Sequence, residues 1–400
     1  MAPFFAFDDG RGILAPLTDL RPSFDLRTGA MTTLERLQAT LRGFCLGLVV
    51  PDPMANLTRE RHAAPVNAPP TRAALYVNGR APLAPDSAAM LEPGQAIIEG
   101  GSGDLVAAHL DPDQASVFVQ GKSPPLTIVE SLDEPTLLAR PWHIRAFRDR
   151  CISKDLEILI SDPGREPPPS VTKYGDHPVR IAPSARVYPG TVLDLEGGPI
   201  MIDEHAVIRP GAILIGPCYI GPHSTVLERA TIRPYTSIGP WCKVNGEIGG
   251  TIFQGYANKA HDGYIGDAYV GEWVNLGAGT TTSNLLNTYG EIIARPAAGV
   301  GNEATGQQFL GPVIGDHVKT AICTRLMTGS ILHTGGMIAS TTAASGHVPA
   351  FAWITDAGRR AYRLDKFVEV MRAAMARRKL EPTAAYLERI SALHRASAVT

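Results

Sequence analysis

The segment KAHDGYIGDAYVGEWVNLGAGTTTSN (259–284) crowds Lys259, His261, Asp262 and Tyr264 together and follows them with Asn275 and Asn284. A histidine in such a place can take up and return a proton near neutral pH, because its unperturbed pKa is about 6.5. Phosphate on any ligand would have to be met by local cations, since the chain as a whole carries a formal charge of only -2. Arg209, Arg233, Lys243 and Lys259 are the candidates. The five cysteines (Cys45, Cys151, Cys218, Cys242, Cys323) are scattered and form no CxxC pair, which argues against a disulfide framework and a zinc site. His205 and His223 lie 18 residues apart. A zinc centre would need a third ligand near them, and none is evident.

These residues sit in or beside a repeat that has to position them. Ile202, Ile208, Leu214, Ile220, Val226, Ile232, Ile238 and Val244 are spaced by six without a break. Four residues after each of the first seven comes a small side chain: Ala206, Ala212, Cys218, Ser224, Ala230, Thr236 and Cys242. Ile181, Val187 and Leu193 start the pattern before an interruption at LEGGP, and Ile314, Thr320, Leu326, Leu332 and Ile338 resume it. Six residues make one short strand and one corner, and three such units close a triangular coil. The aliphatic residue fills the prism, and the small one fits where the chain turns. Coils stack by strand pairing at about 4.8 Å, so none is stable alone. The expectation is a left-handed parallel β-helix over 178–345. The break between Val244 and Tyr264 reads as a loop leaving the prism, where function concentrates.

Before the repeat, GFCLGLVV (43–50) and AALYVNG (73–79) read as buried strands and TTLERLQATLRG (32–43) as a helix, giving an α/β domain over 1–160. Proline-rich SDPGREPPPS (161–170) opens a linker to 177. After the repeat, 356–400 reads as helices. RLDKFVEVMRAAMARR (363–378) is amphipathic, with Leu364, Phe367, Val368, Met371 and Met375 on one face and basic residues opposite. AAYLERISALHRA (384–396) is a second helix. Both read as packing on the β-helix or a partner, and the basic face also reads as a cofactor phosphate clamp.

Charged residues make up 19% of the chain, and no global basic field recruits nucleic acid. The start, MAPFFAFDDG, lacks the basic region of a secretory signal, and no apolar run is long enough to span a bilayer. The expected setting is cytoplasmic, without membrane insertion.

The 259–284 segment resembles the acetyltransferase part of the bifunctional N-acetylglucosamine-1-phosphate uridyltransferase/glucosamine-1-phosphate acetyltransferases. Those carry a similar histidine, then Y-[LI]-G-D-A, then V-N-[LI]-G-A-G-T and an asparagine. FDDGRGILAPLTDLRP, FLGPVIGDHVKTAI and VPAFAW further resemble the GlmU-like sugar nucleotidyltransferases, so the likeness touches most of the chain. By that resemblance His261 is the general base that takes a proton from a sugar amine attacking an acetyl-CoA thioester. Tyr264, Asn275 and Asn284 contact substrate, with Lys259, Lys243 and Arg233 as candidate phosphate ligands. The family follows its last asparagine with tyrosine, whereas Leu285 stands here. The resemblance also implies a homotrimer with the site between subunits.

DGRGILAPLTDLRPSFDLRTG (9–29) resembles the opening of sugar-1-phosphate nucleotidyltransferases, G-x-G-[ST]-R-[LM]-x-P-L-T-x-x-x-P-K. Arg11, Thr18 and Arg21 are the implied nucleotide ligands, and Arg21 or Arg27 replaces the absent lysine. Such enzymes hold Mg2+ on an aspartate after a later strand. Here that place reads LYVNGRAPL, with Asn78 and Arg80, and a neutral amide is a poor partner for a divalent cation. Asp149 or Asp155 would have to compensate.

Three functions follow. The first is acetyl-CoA-dependent N-acetylation of an amino-sugar 1-phosphate or sugar nucleotide, with a divergent nucleotidyltransferase domain attached. The second is sugar-1-phosphate nucleotidyl transfer with the β-helix as oligomerisation scaffold. The third is a non-catalytic assembly or regulatory role.

Overall fold

The computed structural model describes residues 3–397 apart from 42, 69–70 and 162–163. Residues 162–163 of the proline-rich stretch and the last three of the C-terminal segment thus lie outside the described residues.

The N-terminal part is a six-stranded sheet. Its strands are β1 (Phe4–Phe7), β2 (Cys45–Val49), β3 (Ala74–Asn78), β4 (Gln95–Glu99), β5 (Leu105–Leu110) and β6 (Thr127–Leu132), in the order β2-β1-β3-β5-β4-β6. β1 runs parallel to β2 and β3, and β5 runs antiparallel to β3 and β4. FFAF and ALYVN are apolar throughout or nearly so because helices and loops cover both faces of these central strands. Four helices accompany the sheet: α1 (Thr33–Leu41), α2 (Asp52–Arg61), α3 (Pro112–Val119) and α4 (His143–Leu159).

From Thr172 to Thr355 the chain winds as a parallel β-helix, with three ladders of short strands forming its faces. The first face runs from Thr172–Tyr174 to Tyr264–Gly266. The second runs from Val179–Ile181 to His347–Val348 in nine strands. The third begins at Arg186–Val187 and carries Lys243–Val244 and Asn258–Lys259. All eight aliphatics of the unbroken repeat, Ile202 through Val244, are 0% exposed, and the small residues beside them are buried too. Pairing in register does this: Ile202 stacks on Ile220, and Ile220 on Ile238.

One sequence expectation is corrected here. The stretch between Val244 and Tyr264 does not leave the prism; its corners shorten and the coils continue. Ile248 stacks on Ile232, Phe253 on Ile238, and Lys259 on Val244. The excursion lies later, between Thr282 and Val313. It carries a small antiparallel pair, Ile293–Ala294 with Glu303–Ala304, and Glu303 reaches Arg140 of the N-terminal part at 2.6 Å.

The three parts share buried surface. Ile152 and Leu156 of α4 pack against Met201 and Tyr219. Two C-terminal helices, α5 (Leu364–Ala376) and α6 (Ala384–Ser397), place Phe367, Met371, Tyr386 and Ile390 in one core with Phe4, Leu20 and Phe24 of the N-terminal part and Phe351 of the β-helix. Polar contacts fix the arrangement: His317 Nε2 lies 2.7 Å from the Tyr386 hydroxyl, and Arg389 Nε donates to the Asp19 carbonyl at 2.8 Å.

Candidate functional site

Lys259 holds an inward position of the prism and is 1% exposed, where every coil of the unbroken repeat has an aliphatic side chain. Its ammonium donates to the backbone carbonyls of Asn245, at 3.0 Å, and of His261. Burial lowers its pKa to about 8, against an opposing pull from Asp262. The chain passes close over this group: a Cβ on Gly246 would lie 2.4 Å from the Gly263 carbonyl and 3.1 Å from the Lys259 amine, so the corner demands glycine. His261 itself is exposed at the corner between the third face and the first. Its imidazole has no hydrogen-bond partner among the described residues and so is open to a ligand.

On the first face, Tyr264 and Asn284 meet. Asn284 Nδ2 lies 3.2 Å from the Tyr264 hydroxyl and donates to Asp267 Oδ2 at 2.7 Å. Asp267 Oδ1 accepts from Arg145 at 2.9 Å and Arg148 at 2.7 Å, both on α4. Burial raises the Tyr264 phenol, with Asp267 adding to the effect. Arg233 stands on the same face, paired with Glu247 at 2.6 Å, and Glu247 is the register neighbour of Tyr264. Nothing in the sequence pointed to Arg145 and Arg148, because α4 lies far away along the chain. Asp267 was visible inside the quoted motif, but its partners were not.

Asn275 and Lys243 lie on the third face instead. Asn258 Nδ2 donates to Asn275 Oδ1 at 2.9 Å, one step of an amide ladder. With Lys319, Trp273 and Tyr256 these asparagines line a cleft of 310 Å³ closed on its far side by Ala373, Ala374, Arg377 and Arg378 at the end of α5. Arg377 and Arg378 also border a second cleft, of 680 Å³, which contains Lys243, Arg209, Trp241 and Lys379. The two clefts therefore form one groove. Its cations outnumber its carboxylates: Glu228 is already paired with Arg209 at 2.8 Å. Lys319 is mostly enclosed, with a long contact of 3.4 Å to the Trp273 carbonyl as its one hydrogen bond among the described residues, and burial beside Arg377 brings its pKa down to about 8. Stacked rings line the groove, His223 on Trp241 at 4.1 Å and Tyr256 on Trp273 at 4.5 Å, and His205 continues the first stack beyond it, 4.7 Å from His223. Of the six substrate contacts expected from the sequence, Tyr264, Asn284 and Arg233 thus stand on the first face and Asn275 and Lys243 on the third, while Lys259 is enclosed in the prism beneath the corner that carries His261.

In the N-terminal part a pocket of 540 Å³ opens at the carboxyl ends of β1 and β2, where open α/β sheets bind ligands. Arg11 lines it and is bonded to Asp104. Thr18 and Arg21 do not line it. Arg21 is fully buried and bridges to the β-helix, 2.8 Å from Asp316 and 3.1 Å from Glu272. Arg27, also buried, donates to the Gln254 carbonyl. The stretch that looked like a phosphate loop thus continues into an interdomain seam. A magnesium site does not fit the residues present. Asn78 and Arg80 occupy the expected place, and both donate to Asp9. Asp155 pairs with Arg36 at 2.6 Å and Asp149 with Arg148 at 2.7 Å, both away from the pocket.

The molecule joins a six-stranded α/β sheet to a parallel β-helix. Residues 5–163 match the family model described as sugar nucleotidyl transferase. The bifunctional protein GlmU of Thermus thermophilus is 29% identical over 205 residues, which are 45% of this chain and 41% of that one. GlmU of Geobacillus sp. (strain WCH70) is 36% identical over 189 residues, 42% and 38% of the two chains. A bifunctional sugar-1-phosphate nucleotidylyltransferase/acetyltransferase of Sulfurisphaera tokodaii is 31% identical over 142 residues, 33% of each. The chain spans less than half the length of these curated relatives. Over these stretches the chain is similar to the GlmU-like sugar nucleotidyltransferases. Among solved structures, a UDP-N-acetylglucosamine acyltransferase from Campylobacter jejuni covers 57% of this chain and 82% of its own at 16% identity, with a TM-score of 0.24.

Proposed function

We propose that the β-helix transfers an acetyl or related acyl group from an acyl-coenzyme A to the amine of an amino-sugar 1-phosphate or sugar nucleotide. The observation that carries this reading is the course of the cationic groove on the third face. It runs from Lys243 past Arg377 and Lys319 to Asn258, and Asn258 stands three residues before His261. Phosphates of the donor suit the cations, and a flat base suits the ring stack.

His261 then accepts the proton that the amine loses as it attacks the thioester carbon. The C–S bond breaks, and His261 returns the proton to the leaving sulfur, so the cycle closes without an added base. Lys259 holds the His261 backbone. Tyr264, Asn284 and Arg233 meet the acceptor from the first face, and Asn275 and Lys243 meet the ligand from the third. A homotrimer, with a neighbouring copy completing the corner, belongs to this reading, as does a cytoplasmic setting. No helix among the described residues is long and apolar enough to cross a membrane.

The test is thiol release from acetyl-CoA with glucosamine 1-phosphate, run beside His261→Ala. Release that needs both the sugar and His261 supports the proposal. Full activity in the variant removes His261 as the base, and no release with any amino sugar removes the reaction.

A further inference from the structure

A buried cation stands behind the N-terminal pocket, paired with Asp9 of its lining. Arg80 is 1% exposed, and each of its three guanidinium nitrogens is hydrogen-bonded. Nε donates to Asp9 Oδ1 at 2.8 Å, and NH2 donates to Asp9 Oδ2 at 2.6 Å and to Asp104 Oδ2 at 2.5 Å. NH1 donates to the Leu138 carbonyl at 3.0 Å. Asn78 Nδ2 adds a bond to Asp9 Oδ2 at 2.9 Å, and the Arg11 backbone N–H adds one to Asp9 Oδ1 at 3.0 Å. Asp9 therefore accepts four hydrogen bonds, which exhausts the lone-pair directions of a carboxylate. A metal ion would have to displace a buried, bidentate, charge-assisted pair to reach it.

The loop that would cradle phosphates is occupied in the same way. Gly10 N–H is bonded to Asp8 Oδ1 at 2.9 Å, and Arg11 N–H to Asp9 as above. Asp8 Oδ2 also accepts from the Ser23 N–H at 2.8 Å. The charges cancel: Asp8 and Asp9 line the pocket with Arg11 and Lys122, and the Arg80–Asp104 pair stands behind them. A nucleoside triphosphate would meet carboxylates where it needs bare N–H groups and no excess of positive charge. The remaining wall is apolar, with Phe7, Val49, Ile98, Phe118 and Leu126.

We propose that this pocket is a metal-independent binding site for a nucleoside, with Arg80 in the place a divalent cation would take, and that it does not carry out nucleotidyl transfer. The aromatic and aliphatic wall receives the base and ribose, and added phosphates weaken binding. The inference is independent of acyl transfer in the β-helix.

The experiment is calorimetric titration of the full chain with uridine, adenosine, UMP and UTP, each in excess Mg2+ and in EDTA, with electron paramagnetic resonance of added Mn2+. The expected result is that uridine or adenosine binds equally, within about twofold, in both buffers and better than its phosphates, and that Mn2+ stays free. Phe118→Ala, which leaves the Arg80 pairs untouched, should weaken nucleoside binding about tenfold, as loss of a ring contact does. Binding of UTP that requires Mg2+, bound Mn2+, or EDTA-sensitive pyrophosphate release with a hexose 1-phosphate would overturn the proposal. So would an absence of binding by both nucleosides.

Discussion

Lys259 stands in the prism on top of Val244, and its ammonium donates to the backbone carbonyl of His261. A cation placed where a hexapeptide repeat puts an aliphatic side chain is costly to bury, so its hydrogen bonds have to compensate. Those bonds fix the corner that presents the imidazole.

Lys259→Met keeps an unbranched side chain one atom shorter and removes the tether. Acyl transfer should fall about tenfold or more, chiefly in kcat, while the β-helix circular dichroism is retained. An unchanged kcat would remove the positioning role. The buried amine also sets a pH dependence. Its folded pKa, about 8, lies below the value of about 10.4 in an unfolded chain, so the unfolded state binds more protons between the two. Wild type should therefore gain stability relative to Lys259→Met as pH rises through about 8 toward about 10. Urea unfolding of both proteins across that range checks the sign.

Asp267 joins the acceptor-side residues to the N-terminal part, because Asn284, Arg145 and Arg148 all converge on it. Asp267→Ala leaves the buried Arg148 guanidinium with only the more exposed Asp149 as its carboxylate and should destabilise the protein by about 2 kcal/mol. Differential scanning calorimetry measures the loss. A change under about 0.5 kcal/mol would mean that solvent replaces the pair.

Arg21→Met leaves Asp316 and Glu272 facing each other inside the seam. The expected cost is about 3–5 kcal/mol, the range for breaking a buried ion pair. Because the seam joins two parts, proteolytic cleavage within 161–170 should speed up as well. Wild-type cleavage kinetics would show that Arg21 does not hold the parts together.

Arg377→Glu places a carboxylate in the groove on the third face. If donor phosphates lie there, KM for acetyl-CoA should rise about tenfold, with a smaller effect on KM for the amino sugar. Steady-state kinetics with each substrate varied separate the two. An equal rise for both, or none, would place the donor elsewhere.

Much of the architecture was legible from period alone. The inward row from Ile202 to Val244 and the small residues at its corners are buried as their spacing required. The same reading failed at 245–263, because a shortened coil breaks the six-residue count without breaking the stack. Lys259 broke the hydrophobic pattern there and so looked like a loop residue. His205 and His223 do stack one coil apart, and Trp241, a further 18 residues along, extends their stack at the same spacing. Residues of the candidate site close together in sequence were readable as a group. Their partners Arg145, Arg148, Lys319 and Arg377 come from other segments, and no local pattern marks them.

What the amino-acid order determined by itself is the repeat, since strand, corner and inward side chain recur within six residues and need only neighbouring coils to be satisfied. It also determined which side chains crowd around His261. Tertiary structure alone decided which charges are spent. Arg21 reads like a phosphate ligand until Asp316 and Glu272 arrive from the β-helix, and Asp9 reads like a loop carboxylate until Arg80 fills its lone pairs. A charged group is free or committed only by virtue of its neighbours in space, and for these residues the neighbours lie tens to hundreds of residues away.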